Sequence, residues 1–232
     1  DHLDATVGLT QITCTFHRGE YFRTVIARQH SPAVDASRIE ALEDLTHNRL
    51  YAGITAQELA AMLDVIEFGV KKRWSGLVLS FAAAIACAAF AYLNFFPLEA
   101  VGLVALAAFA GQFVRYTVLH RHVHQIGGVI AGGATASIVF FLLTAFFGAI
   151  GSVDPSELSS GVVAAVLFLI PGFPLFSALI DLARFDLDAG IVRLGYAFTV
   201  IFTATFTVSM VSWLTQLLSL IHISEPTRQA EI

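Results

Sequence analysis

The sequence predicts an α-helical integral membrane protein: five transmembrane helices preceded by a small α+β cytoplasmic segment. Three observations predict it. Of 232 residues, 56% are apolar and 13% charged, and the mean hydropathy is +0.74; an average soluble domain carries about 25% charged residues. Five apolar runs, each long enough to cross a bilayer, follow one another in the second two thirds of the chain. The charge is unevenly spread: residues 1–73 hold eight of the thirteen Lys and Arg residues, and residues 74–114 hold none. Such a chain cannot cover itself with polar groups, so lipid must cover part of it. Disordered chains, nucleic-acid binders and ordinary cytosolic enzymes are excluded. Lys and Arg number 13 against 18 Asp and Glu, a net charge of −5, which offers nothing to nucleic acid.

Residues 1–73 form a partial cytoplasmic α+β domain and a pre-membrane helix. TVGLTQITCTF and YFRTVIAR flank His17-Arg18-Gly19-Glu20. Two alternating, β-branched runs joined by a short polar link with Gly predict a hairpin. One hairpin is marginal in water, so a further strand must pair with it. Pro32 ends the strands. Ile39, Leu42 and Leu45 recur at helical spacing, and Thr55-x-x-Glu58 is a capping box that starts a second helix through Leu59, Met62, Leu63 and Ile66. Cys14 and Cys87 form neither a disulfide framework nor a zinc site.

The membrane domain covers 74–217, with spans predicted at 74–96, 100–119, 126–150, 159–182 and 190–217. The fourth is interrupted by Pro171, Gly172 and Pro174. Lys71, Lys72, Arg73, Arg115, Arg121, Arg184 and Arg193 fall on one side of this arrangement; the links around Pro97–Glu99 and Gly151–Glu157 carry no Lys or Arg. The positive-inside rule then puts the N-terminus of this multi-pass membrane protein in the cytoplasm. An odd number of spans suits one half of an inverted-repeat transporter. The chain opens on Asp1 rather than Met and shows no signal-peptide pattern, so a longer natural start is expected. Residues 218–232 begin LSLIHISEPTR, which looks like the in-frame translation of a sequencing adapter, and a non-native tail is expected there.

The sharpest constellation lies in the fourth run, Leu169-Ile170-Pro171-Gly172-Phe173-Pro174-Leu175. Proline has no N–H and clashes with the preceding turn. Two prolines and a glycine within four residues should break this helix. In lipid, freed carbonyls are tolerated only inside protein or beside water, and discontinuous helices present their ends to substrate. A second constellation, Asp181, Arg184, Asp186, Asp188 and Arg193, surrounds the junction of the fourth and fifth runs. Asp181 and Arg184 stand at i, i+3 and can pair. An acid beside a pathway can carry a coupling proton. His120, His122 and His124 splay apart on a helix and have no acidic or Cys partner nearby, so they read as part of a cytoplasmic loop. Thr199, Thr203, Thr205, Thr207, Ser209 and Ser212 read as helix-packing hydroxyls, and Gly127, Gly128, Gly132 and Gly133 as close-packing positions. No P-loop, G-x-S-x-G or H-E-x-x-H occurs. No cofactor, metal site or ATP-driven chemistry is expected, and the chain reads as no enzyme.

These parts resemble the N-terminal half of the threonine/serine exporter family. The Pro171-Gly172 break, then Asp181-Leu182, Asp186, Gly190 and Arg193-Leu194, is similar to that family's fourth-to-fifth span junction. Arg23-Thr24-Val25 resembles the end of its cytoplasmic domain. Gly53-Ile54-Thr55 with Glu58 and Leu63 resembles its pre-membrane helix. The likeness covers about residues 5–217. It rests on the order of parts rather than on one motif.

The resemblance implies a secondary transporter half that exports small amino acids, threonine and serine, driven by protons. A second membrane half, fused or separate, is the implied partner. Relatives of the split form are linked to succinate-like dicarboxylates, so a subunit of a dicarboxylate exporter is the alternative. In that frame Pro171, Gly172 and Pro174 would open the fourth span. Ser177 would offer a hydroxyl to substrate, and Asp181 would couple or gate with Arg184, Asp186 and Arg193 around it. A membrane-anchored regulatory or scaffold subunit is the competing class.

Overall fold

The computed structural model describes residues 2–8, 11–28, 35–70, 74–121, 123–150 and 161–228, the stretch after 216 by backbone alone. It forms two compact units, one of residues 1–28 with 76–232 and the other of residues 29–75.

The N-terminal strands form an antiparallel sheet of order β1 (His2–Val7), β2 (Gln11–Arg18), β3 (Tyr21–Arg28). The expected single run over residues 6–16 is in fact parts of two strands. Gly8 N–H donates to the Gln11 carbonyl at 2.8 Å, and the chain reverses there, supplying the third strand from within. β2 and β3 join through a two-residue turn at Gly19-Glu20. Gly19 has φ +61° at its first position, a conformation open to glycine.

In the second unit, α1 (Ala36–Asp44) is capped by Asp35, whose side chain accepts the Arg38 N–H. It ends in a wider i→i+5 turn over Leu45–Leu50. α2 (Ala56–Asp64) carries the predicted capping box. Glu58 N–H donates to the Thr55 hydroxyl oxygen, and Thr55 N–H donates to the Glu58 carboxylate at 2.9 Å. That backbone donor first, and then the Thr55 hydroxyl, holds the Glu58 carboxyl below the usual glutamate range. Arg38 donates to the Glu67 carbonyl at 2.8 Å and so ties α1 to the turn after α2. Pro32 and Lys71, Lys72 and Arg73 lie outside the described residues.

Among the described residues four helices are long and apolar enough to cross a membrane: α3 (Gly76–Leu93), α4 (Leu98–His120), α5 (Gln125–Ala149) and the first thirty residues, Leu187–Gln216, of α8 (Leu187–Arg228). The fourth predicted span is not a fifth such helix. Its described part consists of α6 (Gly161–Ala165), a tight turn at Leu167–Leu169 and α7 (Gly172–Ala183). At about 1.5 Å per residue α7 is about 18 Å long, short of a hydrocarbon core of about 30 Å. The prolines are the reason, as set out below.

The helices pack on small residues. A Cβ at Gly111 would stand 2.7 Å from the Gly132 carbonyl, and one at Gly132 would stand 2.9 Å from the Arg115 Cβ, so α4 and α5 touch backbone to backbone. Ala100, Leu103, Val104, Ala107, Ala108 and Phe140 form the main core with Cys87, Ala91 and α6. Bulky residues such as Phe81, Ile85, Phe146, Phe198, Phe202 and Phe206 face outward, as lipid-facing surface does.

Candidate functional site at an interrupted helix

The break is built from residues that cannot continue a helix. Val166 leaves helical geometry, and Leu169 and Ile170 close tight turns onto the Val166 and Leu167 carbonyls at 3.0 and 3.1 Å. Pro171 then sits at φ −80°, ψ 67°, and Gly172 N–H donates back to the Ile170 carbonyl at 2.9 Å. This is an inverse γ-turn with Pro171 at its centre. In an unbroken helix the Ile170 carbonyl would take its bond from residue 174, but Pro174 has no N–H to give. Gly172 supplies it instead. Pro174 falls in the first turn of α7, where a missing N–H costs nothing. α7 starts properly once Leu175 N–H reaches the Pro171 carbonyl at 3.1 Å. Gly172 itself is less demanding than its place between two prolines suggests. Its φ is not in the left-handed region, and a Cβ there would meet nothing within 4 Å.

The freed backbone is received by two neighbouring helices. On one side the buried Cys87 thiol of α3, 1% exposed, faces the N–H groups of Phe168 and Leu167. On the other, Arg115 of α4 donates from its guanidinium to the Phe168 carbonyl at 3.2 Å. Arg115 also lies within electrostatic reach of Tyr196 on α8. The Arg115 Nε and the Gln112 Oε1, one turn earlier on the same helix face, are buried without a hydrogen-bond partner among the described residues. A guanidinium has five donor hydrogens and no acceptor, so one carbonyl leaves most of it unused. The sequence reading counted Arg115 only as topogenic charge. The available signal was a cation some five residues inside an apolar run, the kind of residue that marks a pathway.

The second constellation is arranged differently from its i, i+3 spacing. Asp181 pairs with Arg193 of α8, and not with Arg184. The side chains are 18% and 27% exposed. The tight turn between α7 and α8 makes this possible. Phe185 takes φ 62°, the Asp186 and Arg184 N–H groups both donate to the Asp181 carbonyl, and the chain reverses. Gly190 then lies so close to α7 that a Cβ would stand 2.7 Å from the Leu182 side chain and 3.1 Å from the Leu182 backbone nitrogen. That close contact brings the two helices together where Asp181 and Arg193 meet. Asp186 caps α8 by accepting the Ala189 N–H at 3.4 Å. Arg184 and Asp188 are exposed, and Ser177 is half-buried midway along α7. Asp181 lies nine residues beyond Gly172, about 14 Å along α7, so the ion pair and the break are separate stations on one element.

The remaining candidates do local work. Thr199, Thr203 and Thr207 donate to carbonyls one turn back on α8, and Thr207 is buried near Gly133. His124 caps α5, and His120 stacks on Tyr116 at 5.9 Å; His122 lies outside the described residues. Among the described residues no group of three or more His, Cys, Asp or Glu could hold a metal ion.

Comparison with known proteins gives the arrangement a lineage. Residues 1–215 match the family profile described as "Putative threonine/serine exporter". Two curated relatives carry the name "Probable succinate transporter subunit YjjP". The one from Escherichia coli K12 is 26% identical over 138 residues, 56% of this chain and 52% of the relative. The one from Klebsiella aerogenes is 29% identical over 128 residues, 54% of this chain and 45% of the relative. The chain thus spans about half the length of the curated relatives it matches. No solved structure matches it. With the match running from the first residue to 215, the chain belongs to the threonine/serine exporter family.

Proposed function

We propose that this chain is one membrane half of a secondary exporter for small carboxylate-bearing metabolites. The observation that carries the reading is the interrupted helix, whose Phe168 carbonyl is held by a membrane-embedded arginine. Broken helices are how secondary transporters expose backbone ends to substrate without exposing them to lipid. In this reading α6 and α7 together make a fifth, interrupted crossing between α5 and α8. The N-terminal sheet and helix pair then lie in the cytoplasm of a bacterial cell, on the inner-membrane side that Arg115, Arg121, Arg184 and Arg193 select. A second membrane half, fused or separate, completes the pathway.

Threonine and serine are the substrates the family description points to, and proton coupling fits a chain without a nucleotide motif. Asp181, with Arg193 as its resting partner, is the acid best placed to gate or carry the proton. The name of the two curated relatives supports a second reading, a subunit of a succinate exporter. Both substrates carry a carboxylate, so the two readings share one mechanism: alternating access about the break, with Pro171 and Pro174 keeping the helix open.

The test is efflux of threonine and of succinate from cells making the chain with its second half. Replacing Pro171 and Pro174 together by Ala should lower efflux at least tenfold while the amount of inserted protein is unchanged. Unchanged efflux would remove the interrupted helix from the mechanism. Efflux that survives exchange of the spans for unrelated ones would favour a scaffold whose cytoplasmic part does the work.

A further inference from the structure

We infer that Arg115 is the carboxylate receptor of this exporter, and that the Phe168 carbonyl occupies it until substrate arrives. The inference rests on the proposed function and names the residue that would read the substrate. Four observations lead to it. Arg115 stands five residues before the end of α4, about 8 Å along the axis, within a helix long and apolar enough to cross a membrane. An arginine so placed usually snorkels to water; this one turns inward and spends a hydrogen bond on a neutral carbonyl. No ion pair involves it among the described residues, and the side chain within its electrostatic reach is Tyr196 of α8. Its Nε remains buried and unpaired, beside an unpaired Gln112 Oε1.

A part-buried cation without a counter-charge, its Nε fully buried, is costly, and a carboxylate would relieve it. The guanidinium fork fits two carboxylate oxygens at once and meets a full opposite charge there, where the Phe168 carbonyl offers only a dipole. A carboxylate can dock on the open side of the guanidinium, where Nε is free, and by competing for the same cation it would weaken the Phe168 bond that ties the break to α4. Substrate arrival and loosening of the interrupted helix become the same event, as alternating access needs. Tyr196 and Gln112 would supply the acceptors and donors around the second oxygen or an adjacent amine. Gly132 gives Arg115 its room, because a Cβ there would strike the Arg115 stem at 2.9 Å.

The experiment uses membranes from cells making the whole exporter. An arginine-specific dicarbonyl reagent labels accessible guanidinium groups, and mass spectrometry reads the adduct at Arg115. Succinate or threonine should reduce that adduct at least threefold, and uncharged succinamide should not. Protection by neither carboxylate overturns the inference, even if efflux is intact and the proposed function stands. Protection without efflux of either substrate overturns the proposed function and leaves the receptor. In transport, Arg115→Lys should raise the apparent KM at least tenfold with the protein normally inserted, and Arg115→Gln should abolish efflux. A role as a mere staple predicts instead less inserted protein with an unchanged KM, and that result also overturns the inference.

Discussion

Single residues carry more of the interrupted helix than their sequence neighbours suggest. Pro171 fills the centre of a γ-turn and Pro174 removes the donor that would have closed the helix, whereas Gly172 has neither a strained backbone nor a crowded side. Gly172→Ala should therefore leave efflux within about twofold of the parent, in contrast to the proline double variant; a loss comparable to that variant would assign Gly172 a role in a second conformation. Far from the membrane, Glu58 gives a pH signature. Its carboxyl is lowered by the Thr55 N–H and hydroxyl, so its support for α2 is complete above the ordinary glutamate range. That support fades as pH falls through the lowered folded value. Hydrogen exchange of the α2 amides should accelerate below about pH 4, and Glu58→Gln should remove that pH dependence. The proline pair was legible from the sequence, because the missing N–H is a property of the residue alone. Arg115 was not, because its meaning depends on which way the side chain turns.

At the scale of elements, close packing of α4 on α5 sets the position of everything around the break. Gly111→Ala drives a Cβ to 2.7 Å from the Gly132 carbonyl, a backbone atom that cannot step aside. Overpacking of this kind costs about 1–3 kcal/mol, so the variant should lose its helical fold at a lower temperature in detergent. An unchanged transition would mean that α4 and α5 are further apart than described. Between α7 and α8, the partner that Asp181 takes differs from the one that spacing alone allows. Spacing of i, i+3 ranks Arg184 first, but Phe185 turns the chain there and Gly190 lets α8 return alongside α7. The reach of Arg193 across the turn then wins. Asp181→Asn should impair export, and a charge swap of Asp181→Arg with Arg193→Asp should restore part of it if pairing matters; no restoration would leave Asp181 acting alone. The three-stranded sheet shows the same limit at its start. Alternation identified strands, but the reversal after Gly8 depends on a turn that no pattern of apolar residues marks.

At the scale of the whole molecule, composition and the run of apolar segments were enough to read a helical membrane protein with a small β-containing start. Four long apolar helices and the sheet agree with that. Of the five expected spans, the fourth, already read as interrupted, is described as two short helices rather than one long one, because hydropathy sums side chains and is blind to backbone donors. The run 159–182 is apolar throughout its middle, yet two prolines forbid one helix. The order of parts, more than any motif, pointed to the family, and a match over residues 1–215 now establishes it. The most direct test of the account is efflux of threonine and succinate, measured side by side from cells that make this chain with its second membrane half, parent against the Pro171→Ala, Pro174→Ala double variant at equal membrane abundance. The account predicts that the parent exports at least one of the two and that the variant loses at least nine tenths of it; equal export by both would contradict it.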